Sequence, residues 1–540
     1  MSRRVSIQGA LTGLLSAAVA MGVAQLAAGL TVPASSPVIA VGQAAIDLTP
    51  LPVKNFAIST FGANDKNVLL GGILVVLAGF AAAIGVLATR RLSYGLAGLG
   101  VFACVGLAAA LTRPDATAEW VLPTLAAAAA GAFAMARLTG ALLAPGSPAV
   151  PRPPAAADLR PPDLPDEPPV STFSIIPNPD EPPPSPERRR FLVASGLAVA
   201  TTAVGVVAGR ELAERYNVAK ARAALRFPAP AVAAPPLPGG ADLRIPGLSS
   251  FITPNGSFYR VDTALLLPEV DPASWQLRIH GMVRREVQLT FAELLKRPLI
   301  EDYVTLTCVS DPVSGSYVGN AKWLGASLAA LIRQAGPLAG ADQLLCTSVD
   351  GFTCGTPLQV VLDGRDALLA VAMNGVALPV AHGFPARMVV PGLYGYVSAT
   401  KWVTDIEVTT FAGNYAYWAQ RGWSQQAPIK TESRIDVPSG GVSLPAGRTP
   451  VAGVAWAQHK GIDAVEVRVD SGPWQPARLA AVPDIDTWRQ WVWEWDATPG
   501  GHTLEARATD ATGYTQTAAE APPTPNGASG YPSISVTVRP

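Results

Sequence analysis

Five apolar segments in the first 210 residues constrain this chain more than any other feature. Each is about as long as the roughly 20 residues that a membrane-spanning helix needs. The sequence therefore predicts an all-α transmembrane region followed by a soluble C-terminal part. The first segment follows Ser2-Arg3-Arg4, and a cleaved signal peptide is the alternative, but no convincing cleavage site follows it. The five segments lie at about 8–30, 68–88, 92–112, 119–141 and 191–209.

Arginines cluster at one side of these segments. They precede the first segment, lie between the second and third at Arg90 and Arg91, and precede the fifth at Arg188-Arg189-Arg190. Because positive residues concentrate in cytoplasmic loops, the N-terminus is predicted to be cytoplasmic and the C-terminal part extracytoplasmic. The predicted regions are four transmembrane helices in 1–144, a Pro-rich cytoplasmic linker at 145–187 and a fifth transmembrane helix at 188–209.

The run Arg188-Arg189-Arg190-Phe191-Leu192 has a second interpretation. It is similar to a twin-arginine motif, which addresses proteins for export after they have folded. The alternative is that three arginines only mark a cytoplasmic flank. The first interpretation predicts that the C-terminal part folds before it crosses the membrane.

Charge and histidine content exclude several classes of function. The chain has 40 Lys and Arg and 40 Asp and Glu, so its zero net charge gives no support for a nucleic-acid partner. All four histidines lie outside the apolar segments, which therefore lack axial ligands for a haem. Charged residues occur only near the segment ends, so we expect these helices to anchor the protein in lipid or to dock a partner.

Two patterns divide the C-terminal part, after a connector at 210–245. Residues 246–432 alternate short strand and helix patterns, which predicts a mixed α+β domain. Residues 433–540 contain several strands separated by Gly, Pro and Asp turns, which predicts an immunoglobulin-like β-sandwich.

Three local patterns in the α+β domain are specific enough to test. Residues 275–280 alternate apolar and polar residues as a half-buried strand does. Thr290 followed by Glu293 predicts a helix that begins with a capping box. Arg387-Met388-Val389-Val390, which ends at Pro391-Gly392, predicts a buried strand.

A single cysteine lies where an apolar strand pattern meets a polar turn, in Thr305-Leu306-Thr307-Cys308-Val309-Ser310-Asp311. Three interpretations are open: a buried hydrophobic residue, a catalytic nucleophile, or a soft-metal ligand. A nucleophile needs a neighbouring base, and His382 is the only plausible one.

His382 opens a second informative segment, His382-Gly383-Phe384-Pro385-Ala386-Arg387, which is followed by Lys401-Trp402. Its cations flank a turn rich in Pro and Gly, and the surrounding sequence is strongly apolar. Burying Arg387 and Lys401 there would require an anionic partner. The segment therefore suits a phosphate-bearing ligand.

At these residues the chain resembles the sulfite oxidase family of molybdenum enzymes, over about 245–540. The resemblance rests on Phe251-Ile252-Thr253-Pro254-Asn255, the strand ending at Cys308, the His-Gly-Phe-Pro-x-Arg segment and Lys401-Trp402. It implies an α+β cofactor domain with one Mo-molybdopterin. It also implies an immunoglobulin-like domain of the kind that forms homodimers.

The resemblance implies roles for individual residues. Cys308 would be the thiolate ligand of molybdenum, and Arg260 would lie near the oxygen atoms of the substrate. The implied catalytic positions are Cys308, Arg260 and Trp423. The implied cofactor contacts are Tyr259, Arg260, Asp350, His382, Arg387, Ala399, Thr400 and Lys401.

Two departures from the family pattern weaken the expectation that sulfite is the substrate. The residues after the cysteine are Asp311-Pro312-Val313-Ser314, where animal members have arginines. Trp423 replaces an active-site tyrosine, and an indole donates one hydrogen bond but cannot act as a phenol acid. We therefore expect oxygen-atom transfer to or from a small oxyanion or oxide, with the direction open. The electron partner would be a separate cytochrome or a quinone-linked carrier.

Several alternatives remain open from the sequence. The chain could be a sulfoxide reductase of the same fold, or a non-catalytic membrane receptor with a vestigial cofactor fold. The joint presence of Cys308, His382, Arg387 and Lys401 argues against the receptor. Cys346 and Cys354, eight residues apart, would form either a hairpin-spanning disulfide or two separate buried thiols.

Overall fold

The computed structural model describes residues 3–61, 65–114, 116–143 and 186–540. The described residues form two compact units, divided after Arg215. Residues 145–185 of the predicted linker lie outside the described residues. The helices of the first unit are α1 (Arg3–Leu30), α2 (Pro37–Leu48), α3 (Leu51–Phe61), α4 (Asp65–Ala88), α5 (Leu92–Leu111), α6 (Leu122–Leu143) and α7 (Pro186–Ala213).

Five helices of the described chain are long and apolar enough to cross a membrane, and they coincide with the five predicted segments. The sequence analysis did not predict α2 and α3, which are too short for a span. Helix α2 begins with Pro37, whose fixed φ suits the first turn of a helix.

Helix α1 lies at the centre of the first unit and packs against α4, α6 and α7. Glycines allow the close approach. A Cβ on Gly13 would overlap the carbonyl of Ala81 in α4, and a Cβ on Gly205 in α7 would overlap the backbone of Gly22. Close backbone contact of this kind is a recurrent basis of helix association in membranes.

This packing predicts the effect of adding one methyl group. Gly13→Ala should lower the unfolding free energy of the helical unit by about 2 kcal/mol, because rigid backbone must move to admit the methyl group. Gly79→Ala is the matched control, since a Cβ there meets nothing within 4 Å. Thermal unfolding of the full chain in detergent measures both variants. Equal melting temperatures would contradict the packing of α1 on α4.

The second unit, residues 216–540, combines helices with many strands. Its helices are α8 (Ala219–Ala224), α9 (Phe291–Leu295), α10 (Leu328–Ala335), α11 (Leu358–Leu362) and α12 (Gly395–Ser398). Its strands up to residue 409 are β1 (Gln276–Gly281), β2 (Val287–Thr290), β3 (Leu299–Thr307), β4 (Val318–Ser327), β5 (Gln343–Ser348), β6 (Thr353–Pro357), β7 (Leu368–Met373), β8 (Val376–Ala377), β9 (Arg387–Val389) and β10 (Val403–Thr409).

These ten strands form two sheets. One has the order β2-β1-β10-β5-β6, and the other has the order β3-β4-β7-β8, with β9 paired to β7. The predicted capping box is present, with Thr290 and Glu293 bonded to each other's backbone N–H. The strand predicted at Arg387 is β9, and all three of its residues are buried.

The two cysteines of β5 and β6 are free thiols. Cys346 lies directly opposite Cys354 in the antiparallel register, and both are fully buried. Of the two alternatives that the sequence left open, the structure has the pair of buried thiols.

The remaining strands form the β-rich C-terminal part, as two sheets in a sandwich. The sheet orders are β11-β13-β17-β16 and β12-β19-β18-β14-β15, and a separate apolar core includes Val451, Trp491 and Leu504. The strands are β11 (Glu432–Val437), β12 (Ser443–Pro445), β13 (Gly447–Trp456), β14 (Ile462–Val469), β15 (Gln475–Pro476), β16 (Arg478–Leu479), β17 (Arg489–Ala497), β18 (Gly500–Asp510) and β19 (Ser533–Arg539).

The sandwich is joined to the α+β part by buried hydrogen bonds on β3. The Trp488 backbone N–H donates to the Thr305 hydroxyl over 2.7 Å, and its indole donates to the carbonyl of Phe251 over 2.8 Å. Gln458 donates to the Thr305 carbonyl over 3.0 Å. Since Cys308 directly follows β3, these contacts fix the strand that carries it.

A buried carboxyl on the same strand predicts a pH dependence of stability. Burial raises the pKa of Asp302 from 3.8 to about 7. The folded state therefore holds a proton that the unfolded state releases, and stability falls as the pH rises from about 4 to 7. Asp302→Asn should remove this loss and raise the unfolding free energy at pH 8 by up to about 4 kcal/mol. The unfolding free energy is measured across this pH range and at pH 8, with Glu494→Gln, an exposed position, as the control. A wild-type-like pH profile in Asp302→Asn would contradict the prediction.

Candidate active site

The turn that follows β3 holds Cys308 in place. The Cys308 N–H donates to the carbonyl of Tyr317, and the Asp311 carboxylate accepts from the Tyr317 N–H, both over 2.9 Å. Gly315 is required inside this turn, because a Cβ there would overlap the Asp311 carboxylate. The sandwich adds a contact, since Arg434 of β11 donates to the Gly315 carbonyl over 2.9 Å.

The Cys308 thiol lies 3.0 Å from the Ser310 hydroxyl. Burial raises the pKa of the thiol above its ordinary value, although the hydrogen bonds with Ser310 oppose this rise. A buried thiol of this kind does not ionise readily by itself, whereas a bound metal ion deprotonates a coordinating thiol. The surroundings of Cys308 therefore favour a metal ligand over a free nucleophile.

His382 is not arranged as a base for Cys308. Its Nε2 lies 3.2 Å from the carbonyl of Asn255, which can only accept, so Nε2 carries the proton. Burial, followed by the charge of Arg387, lowers the pKa of His382 to about 4. His382 is therefore neutral near pH 7, and its Nδ1 is an acceptor for a ligand.

Arg387 is the strongest indication of an anionic ligand. It is 5% exposed, and its guanidinium donates only to carbonyl groups, those of His382, Met388 and Ala399, over 3.2–3.4 Å. Its Cζ lies 5.0 Å from the centre of the Trp323 ring. Burial lowers its pKa to about 10. Within residues 216–540, all of which the structure describes, no carboxylate forms an ion pair with it.

Lys401 and Arg260 share a carboxylate that the sequence analysis missed. Asp262 accepts from Lys401 over 2.8 Å and from Arg260 over 2.7 Å. Lys401 also donates to the Ala381 carbonyl over 3.2 Å. Its burial lowers its pKa to about 8, against the opposing effect of Asp262. The only sequence signal for Asp262 was an acidic residue two positions after Arg260.

The other predicted contacts surround this group. Tyr259 is close enough to Cys308 and Arg387 to be affected by both charges, and burial raises its pKa well above the ordinary value. Thr400 is fully buried and its carbonyl accepts from the Met388 N–H over 2.9 Å. Asp350 lies in the turn between β5 and β6 and accepts from the Phe352 N–H over 3.3 Å.

Two further buried side chains were not predicted from the sequence. Ser348, beside the Asp350 turn, has a buried hydroxyl with no hydrogen-bond partner among the described residues. Tyr394 is buried, and its hydroxyl, 3.5 Å from the Lys430 N–H, has its pKa raised by burial and in part by Cys308. No sequence pattern distinguished either residue.

Trp423 belongs to an aromatic cluster at the edge of this region. Its ring centre lies 5.9 Å from that of Tyr396 and 6.1 Å from that of Trp418. The indole is buried, and its Nε1 has no hydrogen-bond partner among the described residues. Trp423 therefore packs in this cluster, and its Nε1–H group donates to none of the described residues.

These features together fit a molybdopterin cofactor. Arg387 lacks an anionic partner, the Ser348 hydroxyl is unpartnered, and His382 presents a neutral acceptor. Among the described residues no three His, Cys, Asp or Glu side chains converge on a metal site. If Cys308 binds molybdenum, the dithiolene of a molybdopterin would supply further sulfur ligands.

This chain is similar to known oxidoreductases. The family model of the oxidoreductase molybdopterin-binding domain matches residues 264–418. Chicken sulfite oxidase is 29% identical over 293 residues, covering 46% of this chain and 63% of that protein. The uncharacterized oxidoreductase YuiH of Bacillus subtilis is 31% identical over 153 residues, covering 28% of this chain and 74% of YuiH. The crystal structure of sulfane dehydrogenase SoxCD from Paracoccus pantotrophus aligns at a TM-score of 0.44 and 25% identity, over 49% of this chain and 74% of that chain.

The fold and site define a molybdopterin-binding oxidoreductase domain. The chain belongs to the sulfite oxidase family of molybdopterin oxidoreductases, as its own sequence motifs indicated. It spans less than two thirds of the length of chicken sulfite oxidase.

Proposed function

We propose that this protein is a membrane-anchored molybdenum enzyme that transfers an oxygen atom to or from a small oxyanion or oxide. The observation that carries the proposal is the buried Arg387 guanidinium without a carboxylate partner, in the neighbourhood of Cys308. A buried cation is costly unless an anion compensates it, and a pterin phosphate is such an anion.

Each residue of the site then has a defined task. Cys308 binds the metal, and Arg387 and Lys401 hold the anionic part of the cofactor. His382 accepts a hydrogen bond from the pterin, with Tyr259, Asp350, Ala399 and Thr400 as further contacts. Arg260 would contact the substrate, and the family resemblance implies a catalytic position for Trp423 as well. When bound, the cofactor supplies the two-electron chemistry, while the protein supplies binding, orientation and exclusion of water.

The five long apolar helices support a multi-pass membrane location. The positions of the flanking arginines favour a cytoplasmic N-terminus, with the catalytic part on the opposite side. The twin-arginine-like run at 188–190 would then export that part after its cofactor has been inserted. The C-terminal sandwich, assigned to the immunoglobulin type, would form a homodimer contact.

A separate electron carrier completes the proposal. None of the four histidines lies in a long apolar helix, so those helices offer no histidine pair for a haem. Electrons would pass to or from an external cytochrome or a quinone-linked protein.

The direction of the reaction distinguishes two versions of this function. Sulfite oxidation with an artificial electron acceptor tests the first version, and reduction of methionine sulfoxide with reduced viologen tests the second. We expect activity in one of the two assays. Activity in neither would exclude both substrates. A receptor without catalysis would also show neither activity, and in addition it would contain no molybdenum.

A further inference from the structure

Asp262 lies between two cations of the site, Arg260 and Lys401. Its Oδ2 accepts from Arg260 Nε over 2.7 Å and from Lys401 Nζ over 2.8 Å, and its Oδ1 accepts from Arg260 Nη2 over 3.2 Å. The carboxylate is nearly buried, with its side chain 5% exposed. Asp262 therefore fixes the direction of the Arg260 guanidinium and cancels one of the two positive charges.

The same carboxylate keeps Lys401 protonated. Lys401 is buried, and desolvation favours its neutral form, which Asp262 opposes. Arg260 is 38% exposed at its side chain, so it is the member of the trio that an incoming molecule would meet. It is also close enough to His382 and Lys401 to lower the pKa of both.

The other two basic side chains described at the site are less available to a substrate. His382 is neutral near pH 7, and Arg387 is buried. The turn after Cys308 contributes a carboxyl, Asp311, whose Oδ2 has no hydrogen-bond partner among the described residues. A dianion would have to compete with Asp262 for Arg260, whereas a neutral or singly charged oxide needs only a free N–H donor.

We propose that Asp262 is a specificity-determining positioning residue. By pairing with both Arg260 and Lys401, it makes the site select neutral or singly charged oxides over dianions. This inference rests on the proposed function and narrows its substrate class. We therefore expect the site to bind an uncharged oxide, such as a sulfoxide, more tightly than sulfite or sulfate.

The test measures binding, so it does not depend on knowing the reaction. Full-length protein in detergent, with its molybdenum content measured first, is titrated calorimetrically with sulfate, nitrate and dimethyl sulfoxide. The variants are Asp262→Asn and the double variant Arg260→Gln/Asp262→Asn. Glu286→Gln is the charge-matched control, because Glu286 forms an exposed ion pair with Arg278 on another surface.

Asp262→Asn should bind sulfate about tenfold more tightly than the wild type, with a smaller gain for nitrate and none for dimethyl sulfoxide. The double variant should lose this gain, and Glu286→Gln should behave as the wild type. Unchanged sulfate affinity, or an equal change for all three ligands, would overturn the proposal.

A second test uses the wild type alone, so it can be carried out even if Asp262→Asn folds poorly. The wild type should bind sulfate no more tightly than nitrate, and a clear preference for sulfate would also overturn the proposal. Absence of molybdenum from the wild type would instead refute the proposed function, so the two failures are distinguishable.

Discussion

Cys308→Ser should lower turnover by more than about a hundredfold, since even loss of an outer-shell partner of a metal ligand can cost that much. A serine hydroxyl is a harder and less electron-rich donor than a thiolate. The turn should still form, because the backbone bonds to Tyr317 and Asp311 do not involve the sulfur. X-ray absorption at the molybdenum edge should count one sulfur neighbour fewer than in the wild type.

The control for this prediction is Cys346→Ala. Cys346 is a more deeply buried thiol than Cys308, and it lies in β5, opposite Cys354. The Cys346→Ala variant should lose some stability and keep both its molybdenum and its turnover. Wild-type turnover or an unchanged sulfur count in Cys308→Ser would show that the thiolate does not bind the metal.

Arg387→Met should abolish retention of the cofactor and yet stabilise the empty protein. In the empty protein the guanidinium is buried against carbonyl groups and the Trp323 ring, without an anion. Methionine removes that uncompensated charge and fills much of the same space. Replacement of whole buried ion pairs by apolar residues has stabilised other proteins by about 1–4 kcal/mol, and we expect a gain of that order here. In the loaded protein the order should reverse, because the wild type gains the binding free energy of the cofactor.

Melting temperatures of the wild type and Arg387→Met, each produced in cells with and without molybdopterin synthesis, test this reversal. Arg278→Met is the matched control, since Arg278 forms an exposed pair with Glu286 and such pairs contribute little. It should change neither the molybdenum content nor the order of the melting temperatures. If Arg387→Met retained full molybdenum content, Arg387 would not be a cofactor contact.

Features encoded locally were predictable from the sequence. The five long apolar helices, the capping box at Thr290 and the buried strand at Arg387 each depend on residues that are neighbours in the chain. The same holds for the turn after Cys308, where the change from apolar to polar residues marked the end of β3. Local propensity and tertiary structure agree at these positions.

Features that depend on tertiary contacts were not predictable in this way. Asp262 meets Lys401 only because residues 139 positions apart converge. Similarly, the sequence offered His382 as a possible base for Cys308, but in the structure its Nε2 lies 3.2 Å from the carbonyl of Asn255. Charge states and ion pairs follow from packing, which a single sequence does not display.

Whether this chain binds a molybdopterin cofactor is tested most directly by its molybdenum content. The chain is purified from a host that makes molybdopterin. We expect about one molybdenum per wild-type chain, with an equal amount of pterin released on denaturation, and almost no molybdenum in Arg387→Met. A wild-type chain without molybdenum, from cells in which a known molybdoenzyme is fully loaded, would contradict this expectation.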